Sequence, residues 1–464
     1  MEDFAFLGPK GWLTGTDALP YQRDWLNRYG TAPIGVARPV STAEVARVVA
    51  LARAHGLAVV PQGGNTGLCG AAVTEGRALI LSLNRMAAIG AVDLDGGTVE
   101  VEAGLVLADL HARLEGSGLM FPLHLGAEGS ARIGGLIATN AGGSQAFRHG
   151  TMADLVLGLQ VVLPDGTIWD GRRAVQKDNA GYALRRLFAG SEGTLGVITR
   201  AVLRLAPAPR DEATALLALP DAEALVAFGR HLRATAGEFL AAAEFFSDQG
   251  LDWVLKHLAL DWPLDSRAPF YLLVALSTTS AQVALDDIFA EALETGMAQG
   301  LVLDGAIAAS LAQRAAFWRL REEQPEGQRL EGVQIKHDIS VPVARIPDFL
   351  AQGAALCAAH QAGIRINPFG HLGDGNIHYN ISPPEGAGFA GDIGQLSLHL
   401  CALAQDMGGS FAAEHGLGRS KVALADRLRS PVERRLMAGI KAALDPEALF
   451  NPGVVLRDAK EELS

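Results

Sequence analysis

Cysteine is scarce in this chain. Its 464 residues include three, Cys69, Cys357 and Cys401, widely separated and with no Cys-x-x-Cys pair. An odd number at such spacing argues against a disulfide framework and fits a reducing compartment. Positive charge is also in the minority, with 39 Lys and Arg against 51 Asp and Glu, a net charge of −12. A chain this acidic lacks the basic footprint of a nucleic-acid binder. It has no basic run to hold an anionic membrane surface either. Any anionic substrate must meet positive charge concentrated locally against the overall field. Long apolar runs are missing too. The longest uncharged stretch, residues 268–285 (APFYLLVALSTTSAQVAL), holds a proline and a polar STTS patch. It reads as a strand followed by a helix start, not as a membrane span. The opening MEDFAFLGPKGWL carries early acids and no basic stretch, unlike a secretion signal. The expectation is a soluble, cytoplasmic protein.

What is abundant is apolar residue and glycine. Apolar residues make up 49% and charged residues 19%, enough for a large core and too little charge for wholesale disorder. Glycine accounts for 54 of 464 positions, about 12% against a usual share of roughly 7%. The glycines cluster in islands at 61–70, 126–143 and 190–196. Such islands free backbone N–H groups to face an anion without a Cβ in the way, and a dinucleotide pyrophosphate is a natural occupant. Asn65, Thr66, Ser130, Asn140 and Ser144 stand among them as neutral hydrogen-bonding groups. The lone G-x-G-x-x-G match, Gly386 to Gly391, follows two prolines instead of a strand and reads as a loop, not a nicotinamide site.

The pattern around the islands mixes helices and strands. Residues 41–56 (STAEVARVVALARAHG) form a helix with a Ser41/Glu44 capping box and Gly56 at its end. Strands fall near 58–60, 78–83 and 98–103, with a helix near 105–115. A hairpin turns at Asp165-Gly166. A boundary falls near 207–213. Beyond it, short apolar strands such as 270–277 alternate with amphipathic helices such as 281–294, an α+β texture poorer in glycine.

The densest polar motif is 364–382, IRINPFGHLGDGNIHYNIS. If Asp374 and Gly375 are the two turn residues of a hairpin, His371 faces His378 and the two imidazoles can share one metal ion. Asn380 projects from the same face. Glu414, beside His415, completes two histidines and a carboxylate, an arrangement suited to zinc or another divalent ion. His415 could instead serve as a general base. Lys336 lies on a strand whose other face, with Ile335, Ile339 and Val341, is apolar; Arg321 lies on a helix. From pattern alone, both cations are equally consistent with plain solvent exposure.

Taken together and in order, PQGGNTGLCGAAV (61–73), GAEGSARIGGLIATNAGG (126–143), GSEGTLGVITRAVL (190–203), GHLGDGNIHYN (370–380), EHGLGRSK (414–421) and NPG (451–453) resemble the FAD-linked oxidase family. The likeness covers nearly the whole chain and is strongest to members acting on D-2-hydroxyglutarate and D-lactate. It implies an α+β protein: a two-part FAD domain of the vanillyl-alcohol-oxidase type over 1–210, a substrate domain with an antiparallel sheet over 211–413, and a C-terminal helical segment, 414–464, that returns to the flavin. Flavin contacts implied by the likeness are Pro61, Gln62, Gly63, Gly64, Asn65, Thr66, Gly67 and Leu68 in the first loop. The second stretch contributes Gly126, Gly129, Ser130, Gly134, Gly135, Thr139, Asn140, Gly142 and Gly143. Glu192, Gly193, Gly196 and Ile198 serve the adenine and ribose side, with Asn451 from the NPG motif. No histidine occupies the first loop, so the FAD is expected to be non-covalent.

The same resemblance maps His371, His378 and Glu414 onto zinc ligands, Asn380 and His415 onto substrate contacts with His415 as base, and Arg321 and Lys336 onto carboxylate-binding positions. Four residues after the arginine those relatives carry a threonine that helps bind the distal carboxylate; here that position is Pro325. The expected activity is oxidation of a D-2-hydroxy acid to the 2-keto acid, with hydride passing to flavin N5 and the metal assisting hydroxyl deprotonation. D-2-hydroxyglutarate is the leading substrate, and D-lactate, glycolate or another small 2-hydroxy acid the alternatives. An electron-transfer flavoprotein or a quinone-linked carrier is the expected acceptor, and a homodimer is common among relatives. A flavin-free metal hydrolase using the same three ligands would leave the three glycine islands unexplained.

Overall fold

The computed structural model describes residues 2–458. The chain divides into two compact units, the first formed by residues 1–143, 149–207 and 414–464, the second by 144–148 and 208–413.

Among the described residues the first unit holds two larger sheets, besides a two-stranded pairing of Leu119–Met120 with Ala206–Pro207. One contains β1 (Trp12–Leu13), β2 (Val36–Ala37), β3 (Ala58–Gln62) and β4 (Ala78–Ser82) in the order β1-β2-β4-β3, with β4 parallel to both neighbours. Every residue of β4 (ALILS) is buried, the continuous apolar run expected of a parallel strand covered on both faces. Between β2 and β3 runs α1 (Thr42–Ala54). Ser41 Oγ accepts the Glu44 N–H at its start, and Glu44 reaches back to the N–H of Val40, one residue beyond the usual capping-box partner. The second sheet runs β5-β6-β9-β7-β8, from β5 (Ile89–Asp93), β6 (Thr98–Glu102), β7 (Val156–Val162), β8 (Ile168–Asp170) and β9 (Val197–Arg204), all antiparallel. The β7–β8 hairpin turns at Gly166, whose φ of +84° belongs to the left-handed region glycine favours. Helices α2 (Leu107–Leu114) and α3 (Ile133–Ala138) complete the part used below.

The second unit is built on a seven-stranded antiparallel sheet. Its strands and helices in chain order are β10 (Asp211–Leu219), α4 (Ala222–Ala236), β11 (Leu240–Ser247), α5 (Asp248–Leu258), β12 (Phe270–Thr278), α6 (Leu285–Ala298), β13 (Asp304–Ile307), α7 (Leu311–Glu322), α8 (Gln324–Glu331), β14 (Asp338–Ser340), α9 (Ile346–His360), β15 (Arg365–His371), β16 (Asn376–Ser382) and α10 (Ile393–Asp406). The spatial order is β13-β10-β12-β11-β15-β16-β14. One face packs Leu217, Phe245, Val274, Ile377 and Ile381 against α4, α6, α9 and α10. The other packs Leu216, Phe246, Leu273 and Phe369 against α5 and α7.

The bounds of one helix depart from the sequence reading. The helix expected over 281–294 runs from Leu285 to Ala298. Thr278 Oγ1 accepts the Ser280 N–H and Ser280 Oγ accepts the Gln282 N–H, so hydroxyls hold 278–282 in local turns and delay the helix. Asp286 and Asp287 then favour a start where the helix dipole welcomes them, and nothing stops the helix before Gly300, at φ +69°. Pro325 sits at the start of α8, where its missing N–H costs no helical bond, and separates α8 from α7. Residues 386–391 form a loop, as their prolines implied. Among the described residues no disulfide joins the three cysteines, all buried, and no helix is long and apolar enough to cross a membrane.

Candidate active site

In the first unit a cavity of about 680 Å³ is lined by Gln62, Gly63, Gly64, Asn65, Gly129 and Ser130. Thr16, Tyr21, Ser82, Asn84 and Arg132 also line it, and none of these stood out in the sequence. The volume suits a cofactor. Two of the glycine islands meet here backbone to backbone. A Cβ on Gly64 would stand 2.1 Å from the Ser130 carbonyl oxygen, and one on Gly63 would stand 3.3 Å from Gly135 Cα. Only glycine permits that approach. Gln62 is held in place by donating to the carbonyls of Tyr21 and Ala72. Ser82 Oγ is buried without a hydrogen-bond partner, and Arg132 adds positive charge to the lining. Backbone N–H groups freed by glycine, an orphaned hydroxyl and a cation form a donor set that fits the phosphates of FAD.

Other residues of the expected flavin set brace this unit from inside. Asn140 Oδ1 accepts the Ala153 N–H at 2.9 Å. Glu192 is buried and accepts the N–H groups of Leu417 and Gly418 at 2.9 and 2.8 Å. Burial pushes its pKa up, against the pull of those two donors. Asn451 donates to the carbonyls of Ala71 and Glu192 at 2.9 and 2.7 Å. Gly193 abuts Pro61, Gly196 abuts Val161 and Phe188, and Ile198 lies in the core. Their side chains therefore shape the surroundings of the cavity and do not line it.

In the second unit β16 alternates strictly. Ile377, Tyr379 and Ile381 enter the core, while Asn376, His378, Asn380 and Ser382 share the opposite face. The register differs from the sequence expectation. The turn is a four-residue loop, Leu372 to Gly375, so His371 pairs with Asn376 and His378 with Phe369. The Gly375 N–H reaches the His371 carbonyl at 3.0 Å, Asp374 Oδ1 accepts the Asn376 N–H, and Leu372 is drawn into the core. These three contacts favour the wider loop over a two-residue turn. Because the shift is two residues, side-chain parity is kept. The two imidazoles are diagonal neighbours on one face, ring centroids 5.8 Å apart, with ligand atoms within 4.8 Å of each other.

A residue the sequence reading missed organises this face. Glu244, on β11 directly opposite His371, is buried at 2% exposure. Its carboxylate lies 2.7 Å from His371 Nδ1 and 2.9 Å from the Arg321 guanidinium on α7. A carboxylate acceptor at Nδ1 favours the proton on that nitrogen, so that Nε2 is the atom that would take a cation, as in carboxylate–histidine metal sites. The signal was present: Glu244 is the one charge in the otherwise apolar strand LAAAEFFS. His378 lies beside Asp338, Nδ1 to Oδ1 at 4.0 Å. Two imidazoles with such carboxylate support fit a divalent ion.

The remaining site residues are placed as follows. Arg321 is nearly buried, ion-paired on one edge to Glu244, with its Nε lacking a partner. Asn380 is buried and its Oδ1 has no partner. Lys336 is exposed, just before the short strand β14. His337 is tied to the Tyr379 carbonyl and Ser397 Oγ at 2.8 and 3.0 Å. Glu414 and His415 open the segment that re-enters the first unit. They directly follow Ala413, whose N–H bonds the Asp338 carbonyl on β14.

Known proteins bear on this arrangement. The family "FAD linked oxidases, C-terminal domain" matches residues 208–455, and "FAD binding domain" matches 33–172. A D-2-hydroxyglutarate dehydrogenase from Xanthomonas citri pv. viticola is 40% identical over 94% of this chain and 92% of its own length. The mitochondrial D-2-hydroxyglutarate dehydrogenase of Rattus norvegicus is 36% identical over 92% of this chain and 79% of its own. Among solved structures, p-cresol methylhydroxylase with substrate bound superposes with a TM-score of 0.76 at 16% identity, covering 99% of this chain and 96% of that one. That likeness speaks for the fold alone, an α+β architecture. With family models matching residues of both units, and a relative 40% identical over most of its length, the chain belongs to the FAD-linked oxidase family.

Proposed function

We propose that the protein is an FAD-dependent dehydrogenase that oxidises D-2-hydroxyglutarate to the 2-keto acid. The observation that carries this reading is the polar face in the second unit, where Glu244 joins His371 to Arg321 and the Arg321 Nε and Asn380 Oδ1 are left without partners. Buried polar atoms without partners mark a place where a ligand completes the network.

The residues divide the work. His371, His378 and Glu414 would hold a divalent cation, zinc by donor chemistry. When bound, FAD supplies the two-electron oxidant and the cation supplies Lewis-acid polarisation. Arg321 and Lys336 anchor substrate carboxylates, Arg321 through its fixed planar fork. Asn380 orients the 2-hydroxy acid, and His415 takes the hydroxyl proton. The residues lining the 680 Å³ cavity would hold FAD without a covalent tether, and the segment that begins at Glu414 would return to it. The flavin-binding domain takes 1–210, the substrate domain takes 211–413, and the C-terminal segment from 414 belongs with the first of these. Electrons leave to an electron-transfer flavoprotein or a quinone-linked carrier in the cytoplasm.

A smaller substrate, D-lactate or glycolate, is the second reading. It is favoured by Pro325 at the helix start and by the neutralising partner that Glu244 provides for Arg321. Dye-coupled turnover of purified flavoprotein across D- and L-forms of these acids separates the two. Highest turnover on D-2-hydroxyglutarate supports the first reading, and turnover on none of the 2-hydroxy acids contradicts both. Unchanged turnover in His371→Ala, with flavin still bound, removes the metal from the mechanism.

A further inference from the structure

A second histidine–carboxylate cluster lies in the first unit and has no part in the chemistry above. His111 on α2 and His124 and Glu128 on the following loop each offer a ligand atom, all within 4.8 Å of one another. The Glu128 carboxylate reaches both rings through Nδ1, at 2.8 Å to His124 and 3.5 Å to His111. The two imidazole centroids are 4.6 Å apart. A plain ion pair needs one histidine. Two imidazoles this close repel each other if both are protonated, whereas a shared cation draws two neutral rings together. We propose that His111, His124 and Glu128 form a second divalent transition-metal site, separate from the one assigned to His371 and His378.

The surroundings are built for such a role. The Leu125 N–H donates to the same Glu128 oxygen that meets His124, fixing the carboxylate from behind. The Glu128 N–H in turn bonds the Leu125 carbonyl, closing the turn. The His124 backbone is pinned by Gly143, where a Cβ would stand 2.2 Å from the His124 carbonyl oxygen. The site is half-open, with His111 more covered than His124, so water can complete a tetrahedron around three protein ligands. Two nitrogens and one carboxylate select zinc, cobalt, nickel or copper over magnesium and calcium. The neighbouring Gly129 and Ser130 line the 680 Å³ cavity. A bound ion therefore clamps the phosphate loop to α2.

The test is metal stoichiometry of the full-length, FAD-loaded protein. Wild type, His111→Asn, His124→Asn and Glu128→Gln are stripped with chelator, equilibrated with Zn2+ alone, passed through a desalting column and assayed for zinc and flavin per chain. Loss of about one zinc per chain in each variant, with flavin content and circular dichroism retained, is the expected result. His378→Asn controls for the other site: its loss must add to that of His124→Asn. Should His371 and His378 bind no metal, His124→Asn still lowers the zinc content, so the two readings fail separately. Zinc content equal to wild type in all three variants overturns the proposal. Cobalt substitution gives a second readout: His124→Asn removes one site's share of the visible d–d absorption, and His378→Asn leaves that share in place.

Discussion

Replacing Glu244 by glutamine probes the polar face of the second unit most sharply. The side chain keeps its shape and loses its charge. Glu244 is 2% exposed and lies 2.9 Å from Arg321, whose side chain is 9% exposed. Removing one partner of a buried pair costs about 3–5 kcal/mol, because the other charge stays buried and uncompensated. Glutamine retains a carbonyl acceptor, which places the expected loss near the lower end, about 3 kcal/mol. The same change releases His371 Nδ1 from its anionic partner at 2.7 Å, and loss of such support lowers metal affinity about 10–100-fold. Urea unfolding of the FAD-loaded protein measures the first effect and competition with a zinc indicator the second. A double-mutant cycle with Arg321→Met isolates the pair. Stability within about 1 kcal/mol of wild type, together with unchanged zinc affinity, would refute the reasoning.

Three other outcomes follow from the geometry. Gly64→Ala forces a methyl group onto the Ser130 carbonyl and is expected to weaken FAD binding about tenfold or more, read as flavin absorbance per chain after dialysis. Glu331 is held at about 2: burial alone would raise it, but hydrogen bonds from Lys256, His257 and Arg365 outweigh burial. Its stabilisation is therefore complete above the ordinary value of 4.5 and is lost as pH falls from there toward 2. After allowance for the exposed Lys256, about 1–2 kcal/mol disappears in that window, and Glu331→Gln flattens the pH profile of unfolding there. Ser41→Ala removes the α1 cap and costs about 1 kcal/mol in urea unfolding.

Local signals in the sequence were strongest where side chain and backbone agree over a few residues. The Ser41/Glu44 start of α1 and the Asp165-Gly166 turn are of that kind, each set by contacts within four residues. The 371–378 hairpin shows the limit. Asp374-Gly375 announces a turn, but burial of Leu372 decides its length, and that burial depends on a core assembled from distant strands. Side-chain parity nevertheless survives a two-residue shift, so the face was readable when the register was not. Glu244 was harder, because its partners stand 127 and 77 positions along the chain (371 − 244 and 321 − 244). A lone charge in an apolar strand signals that a partner exists without naming it. Tyr21 and Asn84 entered the cavity lining through chain topology, with no motif to mark them, while Arg132 lay inside the 126–143 stretch, which stood out for its glycines.

The most direct test of the account is anaerobic mixing of the FAD-loaded protein with D-2-hydroxyglutarate while the flavin absorbance is followed. The account predicts bleaching with the D-form and none with the L-form, with the 2-keto acid formed in equal amount. An oxidised flavin spectrum that D-2-hydroxyglutarate and the smaller D-2-hydroxy acids all leave unchanged would contradict it.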